Sequence, residues 1–119
     1  MELSNAKEAL DQVMISGDRI AIGHALANLS LDYIALGQYS SAIDCYIEAL
    51  ALFQDSHNPQ GMSRALMGMG LAYSSMGQYL QALDCYLLAL PLLGKIPDTM
   101  GVEITSRAIE HARQSLKDR

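Results

Sequence analysis

The segment GQYSSAIDCYIEAL at residues 37–50 returns 40 residues later as GQYLQALDCYLLAL at residues 77–90. Laying the chain on itself at that spacing from Ala25 to Phe53 gives 14 identities in 29 positions: Ala25/Ala65, Leu26/Leu66, Leu31/Leu71, Tyr33/Tyr73, Gly37/Gly77, Gln38/Gln78, Tyr39/Tyr79, Ala42/Ala82, Asp44/Asp84, Cys45/Cys85, Tyr46/Tyr86, Ala49/Ala89, Leu50/Leu90 and Leu52/Leu92. A fixed period of this size restricts the chain to stacked copies of one supersecondary unit, because a single unit cannot bury its apolar face alone. With 119 residues in all, the copies share one domain.

Each unit reads as two helices. The first carries Leu26, Leu29, Ser30 and Tyr33 at the i, i+3, i+4, i+7 spacing of one helical face, and the second carries Ala42, Ile43, Tyr46, Ala49 and Leu50 in the same way. Gly37 between them can take the left-handed conformation that closes a helix, which predicts an antiparallel hairpin with a tight turn. Asn58-Pro59 opens the next hairpin with an N-cap residue followed by the residue best tolerated at the first helical position. The chain has no Trp and one Phe, so its core must come from Leu, Ala, Ile, Met and Tyr. That palette favours helices over strands.

Leu66-x2-Met69-Gly70-x2-Tyr73 followed by Ala82-x3-Tyr86 and Ala89 resembles the tetratricopeptide repeat, with Leu in place of the usual first-helix Trp. Leu26-x2-Leu29-Ser30-x2-Tyr33 followed by Ala42-x3-Tyr46 and Ala49 is the same pattern with Ser for Gly. The common period is about 34 residues. The longer one here resembles the long-helix variety of kinesin light chains, spindle-orientation scaffolds and many bacterial arrays, whose units open much as Gly17-Asp18-Arg19 through Gly23, Asn28 and Leu29 do. The resemblance implies an all-α, right-handed solenoid of antiparallel helix pairs. Repeat 1 spans 18–54 and repeat 2 spans 58–93, flanked by helices at 3–16 and 98–117. Ala6, Leu10, Val13 and Met14 are expected to cover one end of the stack; Ile104, Ala108 and Ile109 form the inner face of a polar capping helix at the other.

In such stacks the first helices line a concave groove. The resemblance therefore implies a binding surface for an extended or helical peptide made from His24, Ala27, Asn28, Leu31 and Ile34, then Arg64, Met67, Leu71 and Ser74, with Arg107 and His111 from the terminal helix. In long-helix relatives an Asn matching Asn28 often hydrogen-bonds the ligand backbone; its counterpart in the second unit is Gly68. The carboxylate clamp of chaperone-binding relatives needs cations on these helices, and the first helix has no Lys or Arg after Arg19.

Charge and composition exclude other classes. The formal net charge is −5, and no Lys or Arg lies between Arg19 and Arg64, whereas Asp32, Asp44, Glu48 and Asp55 do. That does not suit nucleic acid, whose phosphates demand clustered cations. The uncharged stretch from Ala65 to Leu83 is as long as a membrane span, but Gly, Ser and Gln interrupt it and the repeat accounts for it. MELSNAKEALDQ lacks the apolar stretch of a secretory signal, so a cytoplasmic location is expected. Cys45 and Cys85 occupy equivalent places in successive units, about one helix spacing of 8–10 Å apart, too far for a disulfide and consistent with small buried thiols. His24, His57 and His111 share no ligand spacing with each other or the cysteines, and no nucleophile-base pair or phosphate loop appears. The reading is a non-catalytic protein without metal or cofactor.

The two second helices differ. QYLQALDCYLLALPLL places Leu80, Leu87 and Leu88 where the first unit has Ser40, Ile47 and Glu48, so its apolar surface wraps nearly all the way round. A helix of that kind is covered on several sides. The expectation is self-association through Leu80, Leu87 and Leu88 as a homodimer, and the alternatives are burial under the terminal helix or docking of the bare helix into a larger assembly.

Overall fold

Caps and left-handed turns set the helix lengths. The computed structural model describes residues 2–95 and 99–118, which form six α-helices: α1 (Glu2–Ser16), α2 (Arg19–Ala35), α3 (Tyr39–Asp55), α4 (Pro59–Ser75), α5 (Tyr79–Leu93) and α6 (Thr99–Lys117). The first four end at a residue of positive φ every 20 positions: Gly17 at 72°, Gly37 at 75°, His57 at 51° and Gly77 at 76°. Glycine adopts that conformation without the steric cost a Cβ brings, which is why three of the four are Gly. Asp18 Oδ1 accepts from the backbone N–H groups of Ile20 and Ala21, and Asn58 Oδ1 from that of Gly61 at 2.9 Å, so α2 and α4 begin on satisfied donors. Pro59 stands in the first turn of α4, where no N–H is missed.

Successive helices pack on each other in chain order, and α2 also touches α4 directly. The stack is therefore an all-α solenoid with α2 and α4 on its inner side and α3 and α5 on its outer side. Its extents are 46 × 32 × 20 Å.

Small residues decide how closely the layers approach. Ala42, Ala49, Ala82 and Ala89 are fully buried, and the rings of the second helices lie on glycines of the first. Phe53, fully buried at the end of α3, fills the space between Gly23 of α2 and Gly61 of α4; a Cβ on Gly23 would lie 2.7 Å from its Cζ, and one on Gly61 would strike the ring itself. Tyr46 occupies the space beside Gly68, and Tyr86 that beside Gly70. One core gathers Leu26, Ala27, Tyr46, Phe53, Ala65 and Met69; a second, at the α5–α6 end, gathers Ala82, Tyr86, Ile109 and Ala112.

Burial corrects three sequence expectations. Ile104 is exposed, and the inner stripe of α6 is Thr105, Ile109 and Ala112. The reason is steric: position 105 repeats Ala25 and Ala65, where helices are close, so a small side chain enters and Ile does not. Met14 is likewise exposed, leaving Ala6, Leu10 and Val13 to face α2 half-buried. Ala27 is fully buried in the first core and cannot line the groove. Among the described residues, no helix is long and apolar enough to cross a membrane.

Candidate functional site

The inner surface is built from residues that share repeat positions but not chemistry. His24 and Arg64 are equivalent, one unit apart, and meet: Arg64 Nη1 lies 2.7 Å from His24 Nδ1, while Arg64 Nη2 donates to Asn28 Oδ1 at 2.7 Å. A guanidinium can only donate, so Nδ1 is the acceptor and the ring proton sits on Nε2. The fork spans α2 and α4 and fixes the Arg64 side chain along the groove floor. The His24 ring also rests on Phe53, with centroids 4.9 Å apart and planes tilted by 59°.

Burial, and then the adjacent Arg64 cation, hold the His24 imidazole below its ordinary pKa of 6.5. Below that value the unfolded chain takes up the proton more readily than the folded one. The stability that neutral His24 contributes is thus fully present above pH 6.5 and lost as pH falls toward its folded-state value. Thermal melts from pH 7.5 to 5 are expected to show a smaller decline for His24→Gln than for the unsubstituted chain; parallel curves would contradict this assignment.

Leu31 and Leu71, at equivalent positions on α2 and α4, are each 47% exposed. Ile34 is half-buried against the first core. Ser74 is partly buried, its Oγ 3.4 Å from the Tyr86 hydroxyl, so it is engaged with α5 as well as facing the groove. Met67 is half-buried, with its Sδ 3.0 Å from Thr105 Oγ1, whose one O–H donates to the Gly101 carbonyl at 2.8 Å. Arg107 and His111 lie exposed on α6, the latter edge-on to Tyr79 at 6.2 Å between centroids. The site thus brings His24, Asn28 and Arg64 into direct contact.

A cleft of about 410 Å³ opens beside Arg64, bounded by His24, Gln60, Met67, Leu93, Ile104 and Thr105. Sequence reasoning missed Gln60, Ile104 and Thr105 as lining residues. The signal was present in the repeat register, which carries His24 to Arg64 and on to Ile104.

On the outer side, Leu80 is 63% exposed, Leu88 61% and Leu87 43%. The terminal helix meets α5 elsewhere, through Ala82 and Tyr86, and leaves these three leucines bare. Cys85 faces inward, and burial, followed by the neighbouring Asp84, pushes its thiol up to about 11; Cys45 is half-buried and likewise raised by burial and by Glu48. Both thiols are therefore held protonated, the opposite of what a nucleophile needs. Among the described residues no three His, Cys, Asp or Glu side chains converge as a metal site requires.

Compared with curated proteins, the sequence has no significant match. A family profile described as tetratricopeptide repeat, however, matches residues 21–95, which cover α2 to α5 and the rings and glycines that pack them. The chain belongs to the tetratricopeptide repeat family.

Proposed function

We propose that this chain is a non-catalytic adaptor that holds a segment of a partner protein along its inner groove. Tetratricopeptide repeats generally mediate protein–protein interaction, and the observation that most supports the finer reading is the arrangement on α2 and α4. Leu31 and Leu71 offer apolar contacts one unit apart, and between the two helices Arg64 is held by uncharged acceptors with N–H donors to spare. A peptide laid there gains apolar contact along its length and hydrogen bonds at a fixed point, the combination such grooves use. Half-buried leucines that bury fully on binding contribute roughly 1 kcal/mol each.

Substituting both Leu31→Ser and Leu71→Ser is expected to weaken partner capture tenfold or more, while the chain, which loses only about 1 kcal/mol of folding stability at each half-buried position, still melts cooperatively above the temperature of the capture experiment. Affinity capture followed by mass spectrometry, run beside a thermal melt, measures this. Identical partner sets for the two proteins would count against the groove.

The bareness of Leu80, Leu87 and Leu88 supports a second contact surface on the outer side. Its occupant is either a second copy of this chain or a different polypeptide within a larger assembly. Both readings leave the inner groove free, so the two surfaces can be occupied together.

A further inference from the structure

The outer leucines are not a plain apolar patch. Leu80, Asp84 and Leu88 follow each other at i, i+4 and i+8 on α5, all exposed, with Leu87 and Pro91 beside them. This ridge has a carboxylate at its centre, flanked by leucine one turn to either side. On α3, the next helix of the outer side, Asp44 and Glu48 are exposed at the equivalent ridge positions.

That symmetry decides between the two occupants. In a two-fold dimer residue i meets residue j and j meets i, so the contact in which Leu80 of each copy covers Leu88 of the other brings the two copies of Asp84 together at its centre. Two carboxylates would then lose water against each other with no cation between them, which is unfavourable at neutral pH. The chain as a whole carries −5, so a second copy brings further repulsion rather than relief. A helix with a cation at the matching place has the reverse balance: it covers the same leucines and pairs Asp84.

The outer side also supplies a socket. A cavity of about 260 Å³ opens at the end of the ridge, walled by Leu50, Met62, Leu66, Leu88, Pro91 and Leu92, with Gln54 and Lys95 at its polar edge. It takes one large apolar side chain. Its α5 wall, centred near position 90, lies about 9 Å along the helix from Asp84 at 1.5 Å per residue, and the position of a docked helix nearest that distance on the same face is about seven residues away. We propose that the outer ridge of α5 docks an amphipathic helix of another polypeptide, which places a large apolar residue in this socket and a Lys or Arg on Asp84 roughly seven residues away. This rests on the reading of the outer side as a contact surface and is independent of the inner groove.

The test is a displayed library of 20-residue helices with a constant leucine face and randomised residues on its borders, selected against the whole chain. The expected result is enrichment of Lys or Arg about two turns from a selected large apolar residue, with individual helices binding roughly tenfold more tightly than their Glu-substituted versions. Against Asp84→Lys the charge preference should reverse to Asp or Glu; against Leu88→Glu the selected helices should no longer bind. Arg64→Ala, in the groove, should leave the selection unchanged, so a failed groove and a failed ridge are told apart. Thermal melts check that each target is folded, as substitutions at exposed positions allow. The proposal is overturned if no helix is enriched in a Leu88-dependent manner, if the charge preference is absent or survives Asp84→Lys, or if the unsubstituted chain sediments as a dimer that Leu88→Glu separates.

Discussion

Replacing Phe53 by Ala is expected to lower the unfolding free energy by about 3–5 kcal/mol, the range for emptying a fully buried aromatic site. Phe53 has no exposed surface, and three helices converge on it: its own α3, α2 through Gly23 and α4 through Gly61. Both glycines lack the side chains that could move into the void, so the site collapses poorly and the cost belongs near the upper end of the range. Domains of this size are commonly stable by about 5–15 kcal/mol, so one substitution removes a large share of the total. The melting temperature should fall by roughly 10–20 °C. Because the ring also supports His24 at 4.9 Å, the variant is expected to lose the steeper acid dependence assigned to that residue as well. A Phe53→Ala protein that melts within a few degrees of the unsubstituted chain would mean that the three-helix junction is not where the stack is held.

The junction shows what could and could not be read from the chain. The 40-residue duplication exposed the helix pairs, and Gly37 and Asn58-Pro59 marked helix ends, because caps and turns depend on residues adjacent in sequence. Contacts between units depend instead on pairs 36–40 residues apart whose members differ. His24 meets Arg64 and Asn28 meets Arg64, yet the His24/Arg64 pair falls just before the self-aligned segment and Asn28/Gly68 stands in it as a mismatch. A search for repetition discards the positions where units have diverged, and those include the positions that meet across the inner surface or lie against a neighbouring ring. The same blindness placed Ile104 inside α6: hydropathy favours Ile over Thr, but the closeness of neighbouring helices at this repeat position favours Thr105, whose hydroxyl finds the Gly101 carbonyl. The bare leucines of α5 were legible from composition alone. The carboxylate between them was visible as well, but its consequence required knowing that all of them share one exposed ridge.

Gly68 carries the same lesson into a second prediction. At this repeat position the first unit has Asn28, and a ladder of asparagines would demand Asn at 68 as well. The Tyr46 ring and hydroxyl occupy the space a side chain would need: a Cβ on Gly68 would collide with Cζ and Oη of Tyr46. Tyr46 is buried against several elements, so its ring cannot swing aside as the tip of a flexible chain could. Gly68→Asn is therefore expected to cost roughly 2–3 kcal/mol despite the better helix propensity of Asn, because overpacking outweighs the few tenths of a kcal/mol gained from replacing Gly. Tyr46→Leu alone should also destabilise by roughly 2 kcal/mol through lost contact. Combined, the two should cost at least about 1 kcal/mol less than their sum, since the smaller side chain opens the space the amide needs. Denaturant titration of the four proteins closes the cycle. If the costs simply add, Tyr46 is not what keeps position 68 bare, and the divergence from Asn28 has another cause.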